Sequence, residues 1–300
     1  MKLTDAIRGA ADHLAASGVP DPAHDAAALA RHVLDLDGDH ELELATPIDA
    51  GTAARLEALV DERAARVPLA HLLGRVRVRD IELLVGPGVF VPQPETEAVI
   101  DWAVRAIRDV AVGSPVIVDL CTGSGTIAFC LANELPDATV HAVERDPGAL
   151  AWAERNAALR AAAGDPLVHL HLGQVAGCLP ELDGQLDLVA SNPPYVATDE
   201  AHIPRPEVVD HDPAIALWAG ADGLDLVRDI EVAARRLLRP GGLVVVEHSD
   251  RQGISAPAVF ADAGGWADIV DHVDQDGLDR FVTARWTGTS TPTATEVRPG

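Results

Sequence analysis

The chain has 300 residues, 48% of them hydrophobic, which is enough to fill the cores of two domains. Its formal net charge of −24 opposes broad attraction to nucleic acid or to anionic membranes, and serves either solubility or a basic partner. No apolar run approaches the roughly 18 residues of a membrane span, and MKLTDAIRGA (1–10) has no apolar signal region, so a cytoplasmic protein is expected.

Residues 1–74 read as short helices. Asp21 can cap a helix that has Pro22 at its first position. Leu29 and Val33, then Ala30 and Leu34, follow i, i+4 spacing and predict a buried stripe. A longer helix is expected over about residues 52–66, with Leu56, Leu59, Val60 and Ala64 on one face, and Gly74 stops the PLAHLL stretch. The histidines of this region (His13, His24, His32, His40 and His71) lack metal-ligand spacing, and no metal site is expected. Residues 75–85 switch to a period of two: Val76 and Val78 alternate with Arg75, Arg77 and Arg79, then Ile81, Leu83 and Val85 alternate in turn. That predicts a strand pair with a turn near Asp80, placed as a connector between domains.

From about residue 115 strands and helices alternate. The strands are VIVDL (116–120), TVHAVE (139–144), LVHLHL (167–172), LDLVASN (186–192) and GLVVVEH (242–248), with helical segments such as 126–134, 147–161 and 223–238 between them. This order predicts a parallel sheet with right-handed crossovers. WADIVDHV (266–273) and DRFVTARW (279–286) are joined by a short link, so the last strand is expected to run antiparallel. The small, polar tail 288–300 is expected to be disordered. Cys121, Cys130 and Cys178 form no CxxC pair, which points to a reducing compartment, and Cys121 and Cys130 fall inside apolar stretches as packing residues.

In such sheets ligands bind at the carboxyl ends of the strands. The first strand runs directly into Asp119-Leu-Cys-Thr-Gly-Ser-Gly125, where Gly123 and Gly125 permit a tight turn and close approach to a ligand. The second strand ends in Glu144, placed to accept hydrogen bonds from both hydroxyls of a ribose; the competing role is an acid that caps the helix opened by Arg145-Asp146-Pro147. Together they predict a nucleoside-containing cofactor, with a nicotinamide cofactor not excluded by these two features alone.

The fourth strand ends in Ser191-Asn192-Pro193-Pro194-Tyr195. Two prolines fix φ and remove two donors, leaving a stiff turn. The exposed polar groups are then acceptors: the Asn192 side-chain carbonyl and the Pro193 backbone carbonyl. Two converging acceptors can hold both hydrogens of a planar –NH2 and favour the pyramidal, nucleophilic nitrogen of the transition state. Carbonyl dipoles also stabilise positive charge developing on that nitrogen, and Tyr195 can stack on a flat amide. No strong general base is required, because the proton can leave to solvent.

Further segments accompany Asn192–Tyr195: VFVPQPETE (89–97), VDLCTGSGTIA (118–128), VERDPGALAWAERN (143–156), DHDPAIALWAGADGL (210–224), LLRPGGLVVVEH (237–248), DGLDRFVTAR (276–285) and, in the helical region, RAARVPLAHLLG (63–74). With them the chain, from about residue 5 to 287, resembles the release-factor glutamine N5-methyltransferases, the PrmC/HemK family of class I methyltransferases. NPPY alone also occurs in DNA adenine and other amino-methyltransferases; the PETE segment together with NPPY is much more specific. The resemblance implies an α/β fold with a Rossmann-like seven-stranded sheet. It implies an N-terminal helical-bundle domain over 1–74 that helps bind the release factor, a β-hairpin linker over 75–90, and a methyltransferase domain over 91–287. S-adenosylmethionine is the implied cofactor and S-adenosylhomocysteine the product. By matching positions, Asp119, Cys121, Thr122, Gly123, Ser124, Gly125, Glu144, Gln174, Val175 and Asn192 would line the cofactor. Asn192, Pro193, Pro194 and Tyr195, with Pro92 and Glu95, would bind the glutamine of a Gly-Gly-Gln loop, and Asn192, Pro193 and Tyr195 would carry catalysis. The implied partner is a class I peptide chain release factor, met by a monomer without direct nucleic-acid or membrane binding.

Two departures from the family pattern stand out. Gln174 replaces the acid usual after the third strand near the adenine, and it can still bond an adenine amino group, though lower affinity is expected. Gln93 replaces the arginine frequent before PETE, which removes a charge near the substrate loop. These changes leave open an amino-methyltransferase acting on a different protein or small-molecule amine. A nucleic-acid amine as substrate would need an extruded base and a basic cleft, which a charge of −24 opposes.

Overall fold

A computed structural model describes residues 1–36, 44–110, 113–198 and 206–289. Its elements begin with α1 (Leu3–Ala16), α2 (Pro22–Val33), α3 (Ala50–Ala64), α4 (Leu69–Leu73), β1 (Arg75–Val78) and β2 (Ile81–Leu84). Next come α5 (Thr96–Asp109), β3 (Val116–Leu120), α6 (Thr126–Glu134), β4 (Thr139–Glu144), α7 (Pro147–Ala162), β5 (Val168–Leu172) and β6 (Leu186–Ser191). The chain continues through α8 (Pro206–His211), α9 (Asp225–Leu237), β7 (Leu238–Glu247), α10 (Ser255–Ala263), β8 (Trp266–Val273) and β9 (Asp279–Trp286). Two compact units result: Met1–Val76 with Val85–Pro87 and the described part of Ile203–Asp212, and the remainder of the chain. Among the described residues no helix is long and apolar enough to cross a membrane.

The helical unit closes around Leu3, Leu14, Leu29, Leu56 and Val60, each worth about 1.5–3 kcal/mol relative to exposure. The expected caps form. Asp21 accepts the His24 amide at 3.2 Å, and Gly74 ends α4 in the left-handed region at φ 72°. Helix α3 starts two residues before the expected 52 because Asp49, accepting the Thr52 amide at 2.7 Å, caps it there. A buried ion cluster lies within this unit. Arg63 donates from Nε to Asp25 at 2.7 Å and from its two terminal nitrogens to Glu207 of α8 at 3.1 Å, and Arg66 bonds Glu207 at 2.7 Å.

The seven-stranded sheet has the order β5-β4-β3-β6-β7-β9-β8. Strands β3 to β7 run parallel, and β9 runs antiparallel to both β7 and β8, as the short link predicts. β6 is buried at every position, as expected of a central parallel strand covered on both faces, and its two polar residues are satisfied there: Asp187 accepts the Val116 amide and Ser191 donates to the Leu120 carbonyl. On one face Val227, Ile230, Ala234 and Leu237 of α9 pack with Phe260 of α10, whose ring meets Trp266 edge-on at 5.3 Å.

Strand β7 departs from expectation: it begins at Leu238, not 242. Leu238 pairs with Leu186, and the register shifts between Leu186 and Leu188, so the Arg-Pro-Gly-Gly stretch is absorbed as an irregularity of the strand rather than as a turn before it. Helices α5 and α10 and the short α8 are not singled out by the sequence pattern. Register aligns Leu120 with Val143 and with Ser191, which brings the ends of β3, β4 and β6 to one edge.

Candidate active site

Three strand ends meet there. Asp119, 1% exposed on β3, receives the Thr122 hydroxyl at 2.5 Å and the Ala128 amide at 3.1 Å, both on Oδ2. Its Oδ1 is buried and accepts nothing from the described residues. Burial pushes its carboxyl up to about 7 against the two hydrogen bonds, with Glu144 adding to the rise. The chain then turns sharply: Cys121, Gly123 and Gly125 have φ of 61°, 58° and 91°. A Cβ at Gly123 would meet open space, whereas one at Gly125 would lie 2.1 Å from the Phe129 ring. Cys121 packs partly buried against the core, and burial raises its thiol well above the ordinary range.

Glu144 ties the two loops together. One oxygen accepts the Gly123 amide at 2.9 Å and the other the Asp146 amide at 2.8 Å. A carboxylate offers about four lone-pair directions, so each oxygen retains one. The helix-capping alternative for Glu144 is taken up by its neighbour: Asp146 accepts the Gly148 and Ala149 amides at 2.6 and 3.0 Å and opens α7. Asn156 of α7, fully buried, fixes the loop from behind. Its Oδ1 accepts the Leu84 amide at 2.6 Å, and its Nδ2 donates to the carbonyls of Leu84 at 3.0 Å and Ser124 at 2.9 Å. Ser124 and Thr122 are themselves buried. Past β5, the Gly173 amide donates to the Glu144 carbonyl at 2.8 Å, Gln174 is exposed, and Val175 is buried in the core.

The Ser191–Tyr195 turn follows β6. Ser191 hydroxyl donates to the Leu120 carbonyl at 2.6 Å, joining the turn to β3. Asn192 Nδ2 donates to Thr96 Oγ1 at 3.0 Å. Thr96 is the first residue of α5 and lies within the PETE segment, so that segment holds the asparagine. Pro193 and Pro92 are buried. Gln93 donates to the nearby Val91 carbonyl at 2.8 Å. The exit from the turn is pinned as well. The Val196 amide donates to the Leu217 carbonyl at 2.9 Å, the Ala219 amide to the Val196 carbonyl at 3.0 Å, and Gln252 Nε2 to the Tyr195 carbonyl at 3.2 Å.

Behind the turn sits a buried polar cluster that no spacing in the sequence announces. Glu247, at the end of β7, is 1% exposed and follows Val246, which pairs with Ser191 and so brings the carboxylate alongside Asn192. Burial pushes it up to about 7, opposed by Thr96, Arg280 and Asn192. Oε2 of Glu247 and Oε2 of Glu95 are buried without a partner among the described residues. Burial and the charge of Glu247 raise the Tyr195 phenol, against the opposing charge of Arg280; Arg280 donates to Asp274 at 3.0 Å.

Residues 5–74 match the family described as PrmC N-terminal domain, and residues 87–205 match the Methyltransferase small domain. A release factor glutamine methyltransferase of Streptomyces coelicolor is 50% identical over 93% of this chain and 96% of its own length. The corresponding Mycolicibacterium smegmatis protein is 44% identical over 94% and 97%. A 4-amino-L-phenylalanine/4-methylamino-L-phenylalanine methyltransferase of Streptomyces pristinaespiralis is 36% identical over 88% and 89%. Among solved structures, the hMettl16 catalytic domain bound to an RNA hairpin superposes with TM-score 0.53 at 16% identity, covering 70% of this chain and 77% of that one. At such identity the likeness is one of fold.

Proposed function

Because the chain belongs to the release factor glutamine methyltransferase family, we propose that it transfers a methyl group from S-adenosylmethionine to the side-chain amide nitrogen of the glutamine in the Gly-Gly-Gln motif of class I peptide chain release factors. The observation that carries this reading is the bond from Asn192 Nδ2 to Thr96, which leaves Asn192 Oδ1 as the acceptor presented by the turn. With the Pro193 carbonyl beside it, both hydrogens of a glutamine –NH2 can be held. An amide nitrogen is a weak nucleophile because its lone pair is delocalised, and only an interaction that strengthens as the nitrogen pyramidalises accelerates its reaction. Two carbonyl acceptors provide that interaction, and their dipoles stabilise the positive charge that develops. The surplus proton then leaves to solvent.

The loop chemistry suits the cofactor. Asp119 Oδ1 is an unengaged buried acceptor for an ammonium group, Glu144 keeps a lone pair on each oxygen for ribose hydroxyls, and Gly123 faces open space. When bound, S-adenosylmethionine supplies an electrophilic methyl group on a sulfonium. Residues 121–125, Asp119, Glu144, Val175 and the exposed Gln174 would hold it, and Pro92, Glu95, Pro194 and Tyr195 would line the glutamine's approach. Residues 1–74 would serve recognition of the release factor, residues 75–90 would link it to a methyltransferase domain over 91–287, and the protein would act as a cytoplasmic monomer. Labelled-methyl transfer tests the substrate. Incorporation is expected into a class I release factor and not into its Gln→Ala variant, into 4-amino-L-phenylalanine or into RNA; label in either of the last two with none in the release factor overturns the assignment.

A further inference from the structure

An asparagine amide is nearly symmetric in shape, and its two ends are told apart only by the network around it. The reading above needs Asn192 to show Oδ1, not Nδ2, to the substrate. Nδ2 donates to Thr96 Oγ1 at 3.0 Å. A threonine hydroxyl has one proton. With Asn192 donating to its oxygen, the Thr96 proton must go to another acceptor, and Thr96 is 2% exposed, out of reach of bulk water. Val246 pairs with Ser191, which sets Glu247, 1% exposed, alongside Asn192, and both the Thr96 and Asn192 side chains favour its charged form. An ionised carboxylate can only accept.

We propose that Glu247, acting with Thr96, is the positioning pair that fixes which end of Asn192 faces the substrate. This inference rests on the proposed function and deepens it. The carboxylate takes the Thr96 proton, Thr96 oxygen takes an Asn192 proton, and Asn192 Oδ1 is left pointing out. Each donation polarises the next, so Oδ1 becomes a stronger acceptor than an isolated amide oxygen. A protonated Glu247 can donate, and the chain can then run in reverse with Nδ2 outward, where it would repel the –NH2 it should hold. The charged and titratable groups facing Glu247 are Glu95 from the segment before α5, Tyr195 from the turn after β6, and Arg280 from β9. Asp274 holds Arg280, and His248, next along the strand, bonds Asp271 at 2.8 Å. Glu95 and the burial oppose ionisation of Glu247, whereas Arg280, Thr96 and Asn192 favour it, and the balance falls at about 7. Orientation of Asn192 is therefore tied to the ionised form, and turnover should rise as pH increases through neutrality.

The test uses the full chain and four proteins: wild type, Thr96→Val, Thr96→Ser and Glu247→Gln. Methylation of a class I release factor is followed as kcat and KM across pH 5.5 to 9, beside S-adenosylmethionine affinity and thermal unfolding; that range brackets a carboxyl near 7. Thr96→Val should lower kcat about tenfold or more, the effect of losing one oriented hydrogen bond in the transition state, with cofactor affinity unchanged. Thr96→Ser, which keeps the hydroxyl, should restore most of it. Glu247→Gln, able to donate as well as accept, should lower kcat and flatten the rise near pH 7. Should that variant fail to fold, the Thr96 pair still decides the matter. An independent readout needs no turnover: the Asn192 side-chain amide protons of the free protein should exchange slowly and shift as Glu247 titrates, and both effects should vanish in Thr96→Val. Wild-type kcat in Thr96→Val, or Asn192 amide signals that are the same in all four proteins and insensitive to pH, overturn the inference. A wild-type protein that methylates no release factor, yet shows the expected amide signals, overturns the proposed function and leaves the positioning pair standing.

Discussion

Two alanine substitutions, two residues apart in one loop, should separate stability from binding. At Gly125, φ is 91° and a Cβ would sit 2.1 and 2.5 Å from Phe129 ring carbons. An L-residue in left-handed conformation costs about 1–2 kcal/mol, and forcing a methyl into a packed ring costs about 1–3 kcal/mol more. Gly125→Ala should therefore lose about 2–5 kcal/mol and lower the Tm by roughly 5–15 °C. At Gly123, φ is 58°, inside the ordinary left-handed well, and a Cβ meets nothing within 4 Å. Its stability cost is only about 1 kcal/mol. The methyl, however, enters the space assigned to the cofactor, so S-adenosylmethionine affinity should fall about tenfold or more, equivalent to about 1.4 kcal/mol. Differential scanning fluorimetry gives the first quantity and isothermal titration calorimetry the second. A Gly123→Ala protein that binds the cofactor as tightly as wild type would refute the placement of the cofactor over this loop.

Three further perturbations follow from buried polar groups. Asn156→Asp keeps the shape of the side chain but removes both donors and sets an oxygen against the Leu84 and Ser124 carbonyls; about 2–5 kcal/mol of stability should be lost in urea unfolding, and a loss under 1 kcal/mol would contradict the bonding described. Arg63→Ala strands Asp25, 6% exposed, as an uncompensated buried charge and should cost about 3–5 kcal/mol, whereas Arg63→Met with Asp25→Leu should fall much closer to wild type; equal losses in both would show that charge is not the cause. Asp119 ionises near 7 when folded and near 3.8 otherwise, so the folded state holds the proton more tightly. Its contribution favours folding at the acid end of that window and is withdrawn as pH rises from about 4 to 7. Without cofactor, Asp119→Asn should gain stability relative to wild type across that window, by a few kcal/mol; parallel pH curves for the two proteins would be inconsistent with the shift.

Strands β3, β4, β6, β8 and β9 were legible in the sequence because each is a short run with a clear burial pattern and a clear end. So were the glycine loop, Glu144 and the Asn192–Tyr195 turn, whose residue types are dictated by local backbone demands. What stayed hidden depends on partners far along the chain. The start of β7 at Leu238 is set by pairing with Leu186, while Arg-Pro-Gly-Gly by itself reads as a turn. α8 belongs with the helical unit because Glu207 answers Arg63 and Arg66, 144 and 141 residues away. Thr96 and Glu247 carry no periodic or spacing signal, since their meaning arises only when α5 and β7 bring them to Asn192. A local clue was the PETE segment, which the resemblance placed beside the substrate without saying that its threonine bonds the asparagine.

Methyl transfer should depend above all on Asn192 as the acceptor that holds the substrate amide. Tandem mass spectrometry should therefore follow a class I release factor incubated with S-adenosylmethionine and either wild-type protein or Asn192→Ala, with cofactor occupancy matched by calorimetry. One added methyl is expected on the side-chain nitrogen of the Gly-Gly-Gln glutamine with wild type and none with the variant, at matched cofactor occupancy. A methyl on another residue, or the same modification at a comparable rate with Asn192→Ala, would contradict it.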